Sequence, residues 1–148
     1  MPKKAEKKDP LVQFREMFQE VEKPEAASPK MKLQVSKLTS DELGDMISRY
    51  STWREFVEDK LLTATAVLTE IQAEYDTAYN QAYVSSESKT VNDRKAEAES
   101  DNAVQSIGKR LTEAQIYKDL LAGKLTSCSN AISTLSRELT RRGIEYHD

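Results

Sequence analysis

An all-α protein is expected: two long antiparallel helices forming a coiled-coil-like helical hairpin, preceded by a short amphipathic helix on a flexible arm. Three observations point there. Apolar residues recur at steps of three and four from Leu43 to Leu139, with one interruption. The chain has only four glycines and four prolines among 148 residues, and three of the prolines fall within the first 24. Charged residues make up 32% and apolar residues 38%, the balance of long helices with solvated faces rather than of a sheet.

Residues 1–39 are read as a basic tail, a short helix and a linker arm. Lys3, Lys4, Lys7 and Lys8 form the tail. Asp9 offers an N-cap and Pro10 a first helical residue, so a helix is predicted over about 10–22, ending before Pro24. Leu11, Phe14, Phe18 and Val21 share one face and form the candidate partner-binding surface. So short a helix is marginal alone and needs something to bury against, either its own assembly or a groove on another protein. Residues 23–30 read as a linker, and the alternation Met31-Lys32-Leu33-Gln34-Val35 reads as a weak strand or extended arm.

The hairpin is predicted over 40–143. Thr39 and Glu42 match a capping box with Asp41 in the first turn, which starts the first long helix near Ser40. Leu43, Met46, Tyr50, Trp53 and Val57 open its stripe, continued by Leu61, Ala64, Leu68 and Ile71, and it is expected to run to about Tyr83. A polar stretch rich in capping residues at 84–93 marks the tip. The second helix should begin between Ser88 and Ser100 and end at Gly143, a C′ glycine following Arg137, Arg141 and Arg142. Residues 144–148 form a tail. Each long helix would have roughly 45 residues and a length of about 65 Å. Gly108 and Gly123 inside the second helix are expected to permit close helix approach.

Charge is unevenly distributed. Residues 1–40 carry nine basic and six acidic side chains, residues 41–84 three and nine, and residues 85–148 ten and ten. With a tip near residue 88, position i faces roughly position 177 − i. That places Arg137, Arg141 and Arg142 near Lys37, Arg49 and Arg54 near Lys124, and brings Lys30 and Lys32 in from the arm. Tyr50 and Trp53 lie among these cations. Phosphate neutralisation beside stacking aromatics is what single-stranded nucleic acid requires. Lys30, Lys32, Lys37, Arg49, Trp53, Arg54, Arg137, Arg141 and Arg142 are therefore the candidate nucleic-acid-binding residues. The ladder Tyr75, Tyr79, Tyr83 sits in a stretch without Lys or Arg, and is expected to pack against the returning helix or a neighbouring hairpin.

The catalytic inventory is poor. His147 is the only histidine, Cys128 the only cysteine, and no glycine-rich phosphate loop exists. Glu70 and Glu74 read as a solvated face. No enzymatic activity, cofactor or metal is expected. No apolar run is long enough to span a membrane, so a cytoplasmic protein is the expectation.

From Tyr50-Ser51-Thr52-Trp53 onward the chain resembles the UvsY-like phage recombination mediator family. Such proteins open a long helix in this way, carry tyrosines further along (here Tyr79 and Tyr83), and have a polar tip, here beginning Val84-Ser85-Ser86. The return is similar through Ala98-Glu99-Ser100-Asp101, Ile116-Tyr117-Lys118-Asp119-Leu120-Leu121, Cys128 and Ile132-Ser133-Thr134-Leu135-Ser136-Arg137. The resemblance covers residues 43–142. It implies a homo-oligomer that binds single-stranded DNA, works with a RecA-like recombinase and single-strand-binding protein in the host cytoplasm, and hydrolyses nothing. Family members look basic along the first helix, whereas this chain has no Lys or Arg between Lys60 and Lys89. DNA is accordingly expected at the opposite, arginine-rich end. The competing expectation is a phage structural or adaptor coiled-coil protein whose Phe14/Phe18 helix captures a partner.

Overall fold

A computed structural model describes residues 9–17, 20–32 and 34–145, with side chains at all of these except 10, 11, 15, 144 and 145. Among them the order is α1 (Pro10–Met17), a 3-10 turn (Val35–Lys37), α2 (Ser40–Ser85), α3 (Val91–Ser100) and α4 (Asn102–Glu145), with no strand. The protein is an all-α helical hairpin in which α2 and α4 pack extensively against each other. No described helix is long and apolar enough to cross a membrane. The chain divides into two compact units, residues 1–60 with 121–148, and residues 61–120.

The first unit holds the larger core. Leu38, Leu43, Met46, Tyr50, Cys128, Ala131 and Leu135 form one buried cluster, with Val35, Ile47, Trp53 and Ile132 packed against it. The three-and-four spacing of α2 and α4 turns these residues inward together. The capping box forms as its sequence requires. The Thr39 N–H donates to Glu42 Oε2 at 2.8 Å and the Glu42 N–H donates to Thr39 Oγ1 at 3.2 Å. Those bonds satisfy two backbone donors that the helix start otherwise leaves open. The Thr39 N–H, followed by the Thr39 hydroxyl, also holds the Glu42 carboxyl below its usual range.

In the second unit Ala64, Ile71, Ala98 and Val104 are buried. Tyr75, Tyr79 and Tyr83 stack, with ring centroids 6.4 and 6.5 Å apart and interplanar angles of 22° and 18°. Tyr75 also lies over Gly108 of α4, where an added Cβ would meet its ring at 3.4 Å, so this glycine does permit a close approach. Gly123 does not: nothing lies within 4 Å of a Cβ built there.

Several expected boundaries move. α1 is described over Pro10–Met17, and residues 20–23 are irregular, so the turn expected to carry Val21 is absent. A helix this short has too few internal hydrogen bonds to extend by itself. Residues 31, 32, 34 and 35 form no strand. They find no partner edge, and Val35 instead opens the 3-10 turn and packs on the core. The return from the tip is also not the single helix expected. Residues 86–90 turn the chain, and then Thr90 caps a separate ten-residue helix, accepting from the Asp93 N–H at 3.1 Å. The Ser86 and Ser88 hydroxyls donate to the two Glu97 oxygens, and Arg94 Nε donates to the Ser88 carbonyl at 2.7 Å. α4 starts afresh at Asp101, whose Oδ1 accepts from the Ala103 and Val104 N–H groups at 2.9 and 3.1 Å. In the second unit the pairing departs from the expected register, Glu74 meeting Arg110 at 2.8 Å rather than a position near Ala103. Gly143 does not end α4, which continues to Glu145 without a left-handed residue.

Candidate nucleic-acid interface

The first unit contains all eight of the sequence-predicted cations, and three elements position them. α2 carries Arg49, Trp53 and Arg54, the arm after the linker carries Lys30, Lys32 and Lys37, and the last turns of α4 carry Arg137, Arg141 and Arg142. A long-range bond ties arm and α4: Arg142 Nη2 donates to the Ser36 carbonyl at 3.1 Å, across 106 positions of sequence. The basic arm and the arginine-rich helix end are thereby held side by side.

Their electrostatic states differ. Lys30, Lys32, Lys37, Arg54 and Arg137 are exposed. Arg141 and Arg142 instead converge on one carboxylate, with Glu138 Oε1 2.8 Å from Arg141 Nη2 and 3.0 Å from Arg142 Nε. The two guanidinium groups, Arg141 first, pull the Glu138 carboxyl down to about 2. Part of their charge is consequently spent inside the protein. Arg142, half-buried and bonded to both Glu138 and Ser36, is a fastener as much as a binding cation.

The aromatic pair also separates. Tyr50 is only 4% exposed, and burial raises its hydroxyl's pKa, so it is a core residue and offers no stacking face. Trp53 is half-buried. Its indole N–H donates to the Ala26 carbonyl at 3.0 Å, and Arg49 Nη2 donates to the Ala27 carbonyl at 3.4 Å. Residues 20–30 therefore lie along α2 as a strap. Pro29 is buried, and Glu20 reaches Lys60 Nζ at 2.8 Å. The Glu20 hydrogen bond, more than the charge of Asp59 at 3.6 Å, raises the Lys60 pKa. Lys60 also stands 5.3 Å from the Phe56 ring centroid, and Phe56 meets Trp53 edge-to-face at 5.7 Å. Phe56 and Lys60 were missed by charge reasoning alone. The signal was present in the spacing: Arg49, Trp53, Phe56 and Lys60 form a second stripe on α2, beside the core stripe of Leu43, Met46, Tyr50 and Val57.

Of the candidate partner-binding residues, Phe14 is exposed on α1 together with Val12 and Met17, and Val21 is half-buried. Phe18 and the Leu11 side chain lie outside the described residues. In the second unit Glu70 and Glu74 are exposed, Glu74 being the one bridged to Arg110, and no cluster of three or more metal-ligating side chains occurs among the described residues.

Comparison with protein-family models, curated proteins and solved structures finds no match.

Proposed function

We propose that the protein is a non-enzymatic recombination mediator that binds single-stranded DNA as a homo-oligomer and assists loading of a RecA-like recombinase against single-strand-binding protein. The observation that supports the DNA-binding part is the Arg142–Ser36 bond, which holds the arm beside Lys37 against the arginine-bearing end of α4. Exposed Lys30, Lys32, Lys37, Arg54 and Arg137 supply phosphate contacts there. Association of copies is supported in the second unit, where Leu62, Ile116, Tyr117 and Leu120 are all more than half exposed. The recombinase and single-strand-binding protein enter through the resemblance of residues 43–142 to UvsY-like mediators. A cytoplasmic setting in a phage-infected host follows from that reading.

The test is a gel shift with a single-stranded oligonucleotide at about 50 mM salt, repeated across a salt series. Binding that weakens steeply with salt is expected. Replacing both Arg54 and Arg137 by alanine should flatten the slope by up to about two phosphates' worth. No binding at the lowest salt removes the DNA-binding claim.

A second reading has its own support in the exposure of Val12, Phe14 and Met17 on α1. A virion component or adaptor would use that helix to grip another chain. Deleting residues 1–19 separates the two: an adaptor loses its partner while the hairpin survives, whereas a mediator keeps its DNA.

A further inference from the structure

We infer that the Arg49–Trp53–Phe56–Lys60 face of α2 is a stacking platform for single-stranded nucleic acid, and that the chain's own strap, residues 20–30, occupies it as a displaceable cover. The inference rests on the DNA-binding reading above and specifies which face the strand would take and what it must displace.

The composition of the face is the first argument. A flexible polyanion with unstacked bases is bound by aromatic rings set between cations. Here two rings in edge-to-face contact are flanked by a guanidinium on one side and an ammonium on the other. No other described stretch of α2 combines the two. The tyrosine ladder at 75–83 has rings but no neighbouring cation on its own helix.

The occupant is the second argument. The strap carries Glu20, Glu22 and Glu25 against a single lysine, Lys23, before Lys30. It engages the platform through groups a nucleic acid would replace. A carboxylate sits on Lys60, one carbonyl oxygen takes the Arg49 guanidinium, and another takes the Trp53 indole N–H. An acidic segment giving acceptors to a cationic, aromatic face is a competitor of a phosphate backbone.

The seat of the strap is also imperfect. Ser28 Oγ is buried without a hydrogen-bond partner among the described residues, an arrangement that penalises the covered state. The ion pair to Lys60 is exposed on its Glu20 side, and such pairs contribute little. The strap is held, but weakly enough for a ligand to lift.

These features give two variants with opposite expected effects in the full-length protein. Glu20→Gln removes the strap's ionic anchor and should tighten binding of an oligothymidine of about 20 nucleotides by about threefold to fivefold. Ser28→Ala removes the orphaned hydroxyl, steadies the strap and should weaken the same binding by a similar factor. Trp53 is the only tryptophan, so its emission reads the platform directly. Adding oligothymidine should quench it by base stacking, and Glu20→Gln alone should shift it to the red. If DNA binds with equal affinity to wild type and both variants and Trp53 emission stays unchanged, the cover is refuted while the DNA-binding reading stands. Weaker binding by Glu20→Gln makes the strap part of the DNA surface and refutes the cover too. Absence of binding by wild type and by Glu20→Gln overturns both readings together.

Discussion

Glu138 joins two arginines through one carboxylate, and the pH dependence of the protein should show it. Its carboxyl is held at about 2 in the folded chain, well below the usual value of 4.5. A group depressed in this way stabilises the fold above its unfolded pKa, and that contribution fades as pH falls from about 4.5 towards 2. Glu138→Gln should therefore lower the thermal midpoint at neutral pH, and the gap to wild type should close near pH 2 in a melting series. The buried positions behave differently. Leu43 and Leu135 are 0% exposed, so truncating either to alanine leaves a cavity in the first unit's core. Urea unfolding should register a loss of about 2–5 kcal/mol for each, largely independent of pH.

Element ends and interruptions are set by short polar signals. Thr39 closes the capping box of α2, and Thr39→Ala should cost about 1 kcal/mol in chemical unfolding, because the Glu42 N–H loses its acceptor. The two internal glycines of α4 provide a graded comparison. Gly123→Ala meets nothing within 4 Å and should stabilise the protein by about 1 kcal/mol through helix propensity alone. Gly108→Ala brings a methyl to 3.4 Å from the Tyr75 ring and should gain less. An equal gain at both would mean that the Tyr75 contact imposes no packing cost. The start of α2 was legible because a capping box is local. The break at 101 was not anticipated, although Asp101 is a good cap, because a helix-forming run on each side hides a single capping residue. Gly143 illustrates the converse. A glycine near a helix end permits a left-handed stop but does not impose one, and α4 runs through it.

For the molecule as a whole, the apolar surface left uncovered is the consequential property. A pair of helices buries only the facing part of its apolar surface, and the second unit leaves Ile116 and Leu120 exposed one turn apart on α4. Ile116 also lines a groove of about 720 Å³ together with Leu68, Leu111 and others. If copies associate through this face, Ile116→Lys with Leu120→Lys should lower the mass measured by light scattering at micromolar concentration. Helix content should be retained. An unchanged mass would refute association through this face.

Helical periodicity and one capping box determined the two long helices, their antiparallel return and most of the residues that form the core, because a 3.6-residue repeat is written directly into the order of apolar side chains. The inventory of cations was equally readable, as was the meeting of the arm beside Lys37 with the last turns of α4. What required the folded chain was the state of each group. Tyr50 faces the core, Arg141 and Arg142 share Glu138, and an apparent linker lies on Trp53 and Arg49 through its backbone carbonyls. Carbonyl oxygens are identical at every residue, so no side-chain pattern can announce which of them a distant indole or guanidinium will reach.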